Sequence, residues 1–268
     1  MDIVIASDKT YANGVQVIKG TGYNSEFRTV IIPPAAIDQK RYVYSQGECK
    51  LAETVSGFDI VVNAFPFNVS TCKAIMGLCT QGTRYVAWSG SEPFLALDGL
   101  TISHGKTGFN SHNEVAQMGR YLIENNAKNW QVVDKPEEHP EWFVPAPRTI
   151  FGTRNGNLII LQVSAPNYPI GGWTFDQCAD YGLSLGCDMM IDGDGGRSTH
   201  GVVMINGEQD VLVGAVGYHD SVPGFLAVKL KEPLADTVTP PPPTGGDAAF
   251  TLDVEGYQPY SGVLKPNA

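Results

Sequence analysis

What this sequence lacks narrows its chemistry before any motif is weighed. It has no stretch approaching the roughly 20 consecutive apolar residues of a bilayer-spanning helix, so no membrane span is expected. It has no basic stripe: 18 Lys and Arg stand against 28 Asp and Glu, a formal net charge of −10. Phosphate contacts supply most of a nucleic-acid binder's affinity, so a nucleic-acid partner is not expected, and the acidity argues against anionic membrane surfaces. CxxC pairs and closely spaced histidines are missing, which removes the usual zinc patterns; neither a metal nor a cofactor is expected. The five cysteines, Cys49, Cys72, Cys79, Cys178 and Cys187, show no framework spacing, and the expectation is reduced, mostly buried thiols. A G-x-S-x-G elbow is absent, which disfavours a serine hydrolase; Ser89-Gly90-Ser91 reads as a turn. The opening MDIVIASDKTYANG has no basic segment followed by an apolar one, so the expected location is the cytoplasm or a virion.

What is present is the composition of a globular protein, 43% hydrophobic and 17% charged, with 30 glycines and 18 prolines that imply many turns and short elements. Strand-like runs recur at Ile3–Ala6, Thr29–Ile32, Phe58–Ala64, Arg84–Trp88, Phe94–Ser103, Thr149–Thr153, Asn157–Ser164, Met189–Ile191, Gly201–Ile205, Val211–Val216 and Phe225–Leu230. Two helices are expected. One covers His112–Asn126, with Val115, Met118, Leu122 and Ile123 at helical spacing; the other covers Thr174–Leu185, opened by the capping-box pair Thr174 and Gln177. Strands outnumber helices without strict alternation, so the expected class is α+β, with mixed or antiparallel sheets, a few helices and a single main domain over residues 1–237. Residues 105–147 interrupt the strand pattern and suggest a helical insertion. The proline run at 238–246 reads as an extended linker. The tail, 247–268, is too short to bury its own core, so it is expected to dock on the main domain, to join a protein assembly partner or to be disordered.

The densest chemistry lies in Met189–Thr199, MMIDGDGGRST. Asp192 and Asp194 offer carboxylates for acid/base or nucleophilic work. Gly195 and Gly196 can turn backbone amides toward an anion. Arg197 carries a forked phosphate donor, Ser198 a hydroxyl, and His200 a ring suited to proton transfer near neutral pH. The competing reading is a tight turn whose aspartates bond local amides. A calcium loop is not expected, since the place where an EF-hand needs glutamate is Val203. For Trp88, Trp142 and Trp173, packing is preferred to sugar stacking. The sequon Asn68-Val69-Ser70 is set aside for want of a visible signal.

The order of features from residue 146 to 206 resembles the phosphodiester glycosidase family. It runs PRTIFG (Pro147–Gly152), a strand pair through NGNLIILQV (Asn155–Val163), GWTFDQCADYG (Gly172–Gly182), LGCDMMIDGDGGRST (Leu185–Thr199) and VVMINGE (Val202–Glu208). FDIVVNAFPFN (Phe58–Asn68) and LALDGLTISHGK (Leu95–Lys106) are similar to two further strands of that family. Two departures stand out: Ala64 and Pro66 replace glycines after the asparagine, and Asp192 stands where the family has asparagine. The resemblance implies cleavage between a sugar anomeric carbon and a phosphodiester oxygen in a sugar-phosphate glycan. It assigns the catalytic carboxylate to Asp194 with Asp192 as its partner, a phosphate clamp to Arg148, and substrate contacts to Asn63, Gly195, Gly196, Arg197, Ser198 and His200. The alternative is a virion-type part, such as a phage tail or baseplate protein, or a glycan adhesin, that keeps the fold with little or no catalysis.

Overall fold

The computed structural model describes residues 3–129, 144–165, 170–215 and 220–236, together with the backbone of 248–252 and 260–264. Residues 1–236 form one compact unit and 237–268 another. In the first unit the largest sheet has the order β1 (Ile3–Thr10), β2 (Gln16–Gly22), β3 (Ser25–Ile32), β16 (Asn157–Val163), β15 (Arg148–Arg154), β17 (Met189–Asp192), β13 (Tyr121–Glu124), β14 (Ala127–Lys128). A second sheet runs β19 (Glu208–Val213), β18 (His200–Ile205), β5 (Ile60–Asn63), β20 (Gly224–Leu230), β4 (Ile37–Tyr44). A third runs β11 (Thr101–Ser103), β10 (Phe94–Ala96), β12 (Val115–Gln117), β8 (Leu78–Thr80), β9 (Thr83–Val86). A short ribbon pairs β6 (Phe67–Asn68) with β7 (Lys73–Ala74), and the helices are α1 (Lys106–Asn110) and α2 (Phe175–Ser184). In the second unit β21 (Ala248–Leu252) pairs with β22 (Tyr260–Leu264). Every strand ladder among the described residues is antiparallel, and the protein is predominantly β, so the expected α+β class holds only with its weight moved to the sheets.

The central strands of the largest sheet are apolar almost without interruption because both of their faces are covered. Val30, Ile32, Phe151, Leu158 and Ile160 enter a core shared with Ile60, Val62, Leu226 and Val228 of the second sheet. Their neighbours Phe27, Ile31, Ile150, Ile159 and Leu161 point the other way and meet Trp173, Phe175 and Cys178 around α2. Each such side chain, fully buried, contributes on the order of 1.5–3 kcal/mol. The helix is stopped at its N-terminus as the sequence predicts. The Thr174 hydroxyl accepts from the Gln177 amide at 3.2 Å, and Gln177 Oε1 accepts from the Thr174 amide at 2.9 Å.

Several expectations are corrected. His112–Asn126 is not a helix: it contains β12 and β13, which join two different sheets. Gly119 separates them, its amide donating to Asp192 O at 2.6 Å. A glycine is a poor helix-interior residue, and strand partners on both sides override the helical spacing. The 105–147 segment is therefore not a helical insertion among its described residues, where only the five-residue α1 is helical; residues 130–143, with Trp142 and His139, lie outside the description. Phe94–Ser103 is a hairpin of β10 and β11 rather than one strand. Cys49 and Cys72 form a disulfide, while Cys79, Cys178 and Cys187 are buried free thiols. The bridge is invisible to spacing because strand β4 and the β6–β7 ribbon bring together two residues 23 apart in sequence. The linker 238–246 and His219 also fall outside the described residues.

Candidate active site

The segment Gly193–Thr199 leaves the largest sheet at the end of β17 and enters the second sheet at His200, the first residue of β18. A loop that crosses between packed sheets must satisfy its backbone inside the protein, and this one does so completely over four residues. Gly193 N–H donates to Thr149 O at 2.9 Å, Asp194 N–H to Ala64 O at 3.0 Å, and Gly196 N–H to Pro147 O at 2.9 Å. The Gly195 amide donates to the Asp194 carboxylate. The glycines are needed for closeness: a Cβ on Gly193 would lie 2.7 Å from Ala64 O and 2.8 Å from the Phe151 ring. Gly196 also has φ of +64°, in the left-handed region. Consequently the amides of Gly195 and Gly196 are both engaged in this arrangement.

Asn63, at the end of β5 and fully buried, ties this loop to both sheets. Its Nδ2 donates to Asp194 O at 2.6 Å, and its Oδ1 accepts from Thr149 Oγ1 at 2.5 Å and from the His200 amide at 3.2 Å. The His200 ring is likewise buried and occupied. Its Nε2 accepts from the Ala52 amide at 2.8 Å, which leaves Nδ1 to donate to Ser198 O at 2.9 Å. That pairing fixes the neutral Nδ1–H tautomer. Asn63 and His200 therefore position the loop in this structure.

The two aspartates stand out electrostatically. Their side chains are partly covered, yet Oδ1 of Asp192 and Oδ2 of Asp194 are sealed from solvent and meet no hydrogen-bond donor among the described residues. Burial pushes the Asp192 carboxyl up to about 7, against the opposing charge of Arg148. Burial also lifts Asp194 to about 7, reinforced by the Asp192 charge and opposed by bonds from the Ser198 hydroxyl and the Gly195 amide. At neutral pH both groups are thus poised between acid and base. Gly119 packs against Asp192, where a Cβ would fall 3.1 Å from Oδ2.

Arg148 begins β15 and is buried. Its Nε donates to Trp173 O and its Nη2 to Val144 O, both at 3.2 Å, and its guanidinium lies 4.2 Å from the Phe175 ring centre. Arg197 is exposed and donates to Asp220 Oδ1 at 2.9 Å. Thus Asn63, Arg148, Asp192, Asp194, Ser198 and His200 cluster around one loop, while the Arg197 side chain turns outward. Thr149, Gly119, Ala52 and Asp220 belong to the same assembly without having been anticipated. Thr149 could have been read from its place beside Arg148, but the other three carry no local signal. Trp173 is fully buried with Nε1 donating to Gly22 O at 3.0 Å, and Trp88 packs on Phe94 and Phe109, so both are packing residues.

Comparison with solved structures places this fold in known company. The catalytic domain of zebrafish N-acetylglucosamine-1-phosphodiester alpha-N-acetylglucosaminidase, in a form auto-inhibited by its pro-peptide, matches with a TM-score of 0.60 at 15% identity, over 85% of this chain and 82% of that one. A hypothetical protein from Synechocystis matches with a TM-score of 0.59 at 13% identity, over 81% of this chain and 62% of that one. No curated protein matches at the level of sequence. The profile of the phosphodiester glycosidase family matches residues 56–228. The chain belongs to the phosphodiester glycosidase family.

Proposed function

We propose that this protein hydrolyses glycosyl phosphodiester bonds in sugar-phosphate glycans, with the Asp192–Asp194 loop as its catalytic centre. The observation that carries the reading is the pair of aspartates with sealed, donorless carboxylate oxygens, both held near neutrality by burial in a family of phosphodiester glycosidases. The bond that breaks joins the anomeric carbon to a phosphodiester oxygen. Water supplies the oxygen that ends on the sugar and the proton that ends on the phosphate monoester. A phosphate monoester is a good leaving group, so catalysis needs charge stabilisation at the anomeric centre more than a strong acid. Asp194 in its ionised form meets the developing oxocarbenium charge or takes the proton of the attacking water. Asp192, whose charge raises the Asp194 carboxyl, holds the companion proton while Asp194 is ionised. Arg148, buried beside the loop and acting on the Asp192 carboxyl by its charge, supplies the positive charge for the phosphate end. Ser198 and Asn63 fix the carboxylate and its backbone.

The enclosed loop favours a second reading as well. With its amides paired internally and the Asn63 and His200 side chains engaged, a chain that binds glycan in a virion or other assembly without turning it over would need no change of structure. The disulfide Cys49–Cys72 suits either reading, because both act on glycans outside a reducing cytosol. Hydrolysis of a panel of sugar-1-phosphodiesters, with the released sugar followed by NMR, separates the two. Turnover that Asp194→Asn loses in kcat and Arg148→Ala weakens in KM supports the enzyme. Folded protein that binds glycan and turns over none of the panel supports the assembly reading.

A further inference from the structure

The free edge of β4 and the β8–β9 hairpin enclose a pocket of about 220 Å³ lined by Arg41, Tyr44, Thr80, Gln81, Thr83 and Tyr85. It contains none of the residues of the aspartate loop. Three observations give it the character of a built site. First, its walls are locked together. Glu114 accepts from the Tyr42 amide at 3.0 Å and the Gln81 amide at 2.5 Å, while the Thr80 hydroxyl donates its one proton to Tyr42 O at 2.7 Å. The pocket is thus formed before any ligand arrives. Second, Tyr85 is 41% exposed although its ring meets Tyr44 edge-on at 5.0 Å, and Tyr44 is itself fixed by the Ala74 amide donating to its hydroxyl at 3.1 Å. A large aromatic face left open beside a fixed one costs apolar exposure that packing would otherwise remove. Third, Arg41 forms no ion pair among the described residues, and its Nε is buried without a hydrogen-bond partner, in a chain of net charge −10. Its guanidinium rests 4.9 Å from the Phe58 ring centre.

We propose that this pocket is a saccharide-binding subsite that takes one pyranose ring of a glycan, with the sugar face on Tyr85 and its hydroxyls met by Gln81 and Thr83, and Arg41 lining its β4 side. The volume lies below the range of about 300–1,000 Å³ that takes a drug-sized ligand and suits a single ring. An aromatic face bordered by an amide, hydroxyls and an arginine is the chemistry that recognises a ring with one apolar face and a polar rim. The ladder Tyr85, Tyr44, Phe65 continues at 5.9 Å between the last two rings, and Phe65 follows Ala64, whose carbonyl receives the Asp194 amide. The subsite therefore stands on the same packed block as the candidate active site and gives the substrate class a second sugar contact. The inference deepens the reading of the chain as glycan-acting and rests on it.

The test is an amide-resolved NMR titration of the full chain with the methyl glycosides of glucose, galactose, mannose and N-acetylglucosamine, repeated on Tyr85→Ala and on Asp194→Asn. Saturable shifts of Tyr44, Thr83 and Tyr85 for at least one sugar are expected. Affinity should fall roughly tenfold in Tyr85→Ala and stay unchanged in Asp194→Asn. Shifts confined to other residues, or equal affinity in wild type and a folded Tyr85→Ala, would overturn the proposal, as would no binding of any of the four. Because the readout is binding, an inactive enzyme with an intact subsite and an active enzyme without one are told apart.

Discussion

Two clusters in this protein hold covered carboxylates in opposite ways. At the junction of β2, β3 and β19, Asp210 is pushed up by burial, but bonds from Lys19 at 2.8 Å and Arg28 at 3.0 Å outweigh this and hold its carboxyl below the ordinary range. Arg28 adds bonds to Asp210 O and to Gln162 Oε1, both at 2.6 Å, and is itself buried. Charge there is met by charge, and the cluster fastens one sheet to another. In the Asp192–Asp194 loop burial wins: one oxygen of each carboxyl has no donor, the nearest cation named by its influence is Arg148, and both groups sit at about 7. Where opposite charge outweighs burial the carboxyl stays ionised and fastens the sheets, and where burial outweighs it the carboxyl is held near neutral pH at a cost in stability.

The contrast can be broken or sharpened by substitution. The largest effect is expected for Asp194→Asn, which should reduce kcat by about 10³-fold. Its stability should move the other way. A carboxyl whose folded pKa is raised contributes stability that is fully present below its unfolded value and is lost as pH rises through about 7. Asp194→Asn should therefore gain on the order of 2 kcal/mol over wild type at pH 8 and little at pH 4, as read from urea unfolding at the two pH values. Removing the tie instead of the charge, Asn63→Ala leaves the Thr149 hydroxyl and the His200 and Asp194 backbone without their partner. It should cost about 3 kcal/mol in the same assay and lower turnover with it. Loss of the bridge in Cys49→Ser should cost about 3 kcal/mol by freeing a 23-residue loop in the unfolded chain, seen as a lower denaturation midpoint. Asp210→Asn should cost about 2 kcal/mol at pH 7. Because the folded pKa of Asp210 is depressed, that difference should fade as pH falls below the unfolded carboxylate value, the reverse of the Asp194 trend. The smallest effect is expected for Thr174→Ala, about 1 kcal/mol from the lost cap of α2, with turnover unchanged.

The same contrast explains what could be read from the sequence. Local chemistry was legible: the capping box of α2, the continuous apolar strands β3, β15 and β16, and the Asp-Gly loop each announce themselves within a few residues. The resemblance in residue order from 146 to 206 led to the family whose profile matches 56–228. What failed depended on distant partners. Val115, Met118, Leu122 and Ile123 keep helical spacing, yet β8, β10 and β17 claim them as strands. Cys49 and Cys72 meet only because two strand ends do. The bonds that tie Asn63 to Thr149, and His200 to Ala52, carry no local signal either. No short window contains those partners. The fastening at Arg28 and Asp210 was invisible for the same reason, since its members are 182 residues apart.

The central claim, that the uncompensated carboxyl pair is the reacting centre, is tested most directly by the pH dependence of kcat/KM on a sugar-1-phosphodiester, for wild type, Asp192→Asn and Asp194→Asn. The account predicts a wild-type profile that turns near pH 7, where the pair shares one proton, with turnover abolished in Asp194→Asn and the turn displaced in Asp192→Asn. A profile that passes flat through pH 7, or an Asp194→Asn protein with wild-type turnover, would contradict it.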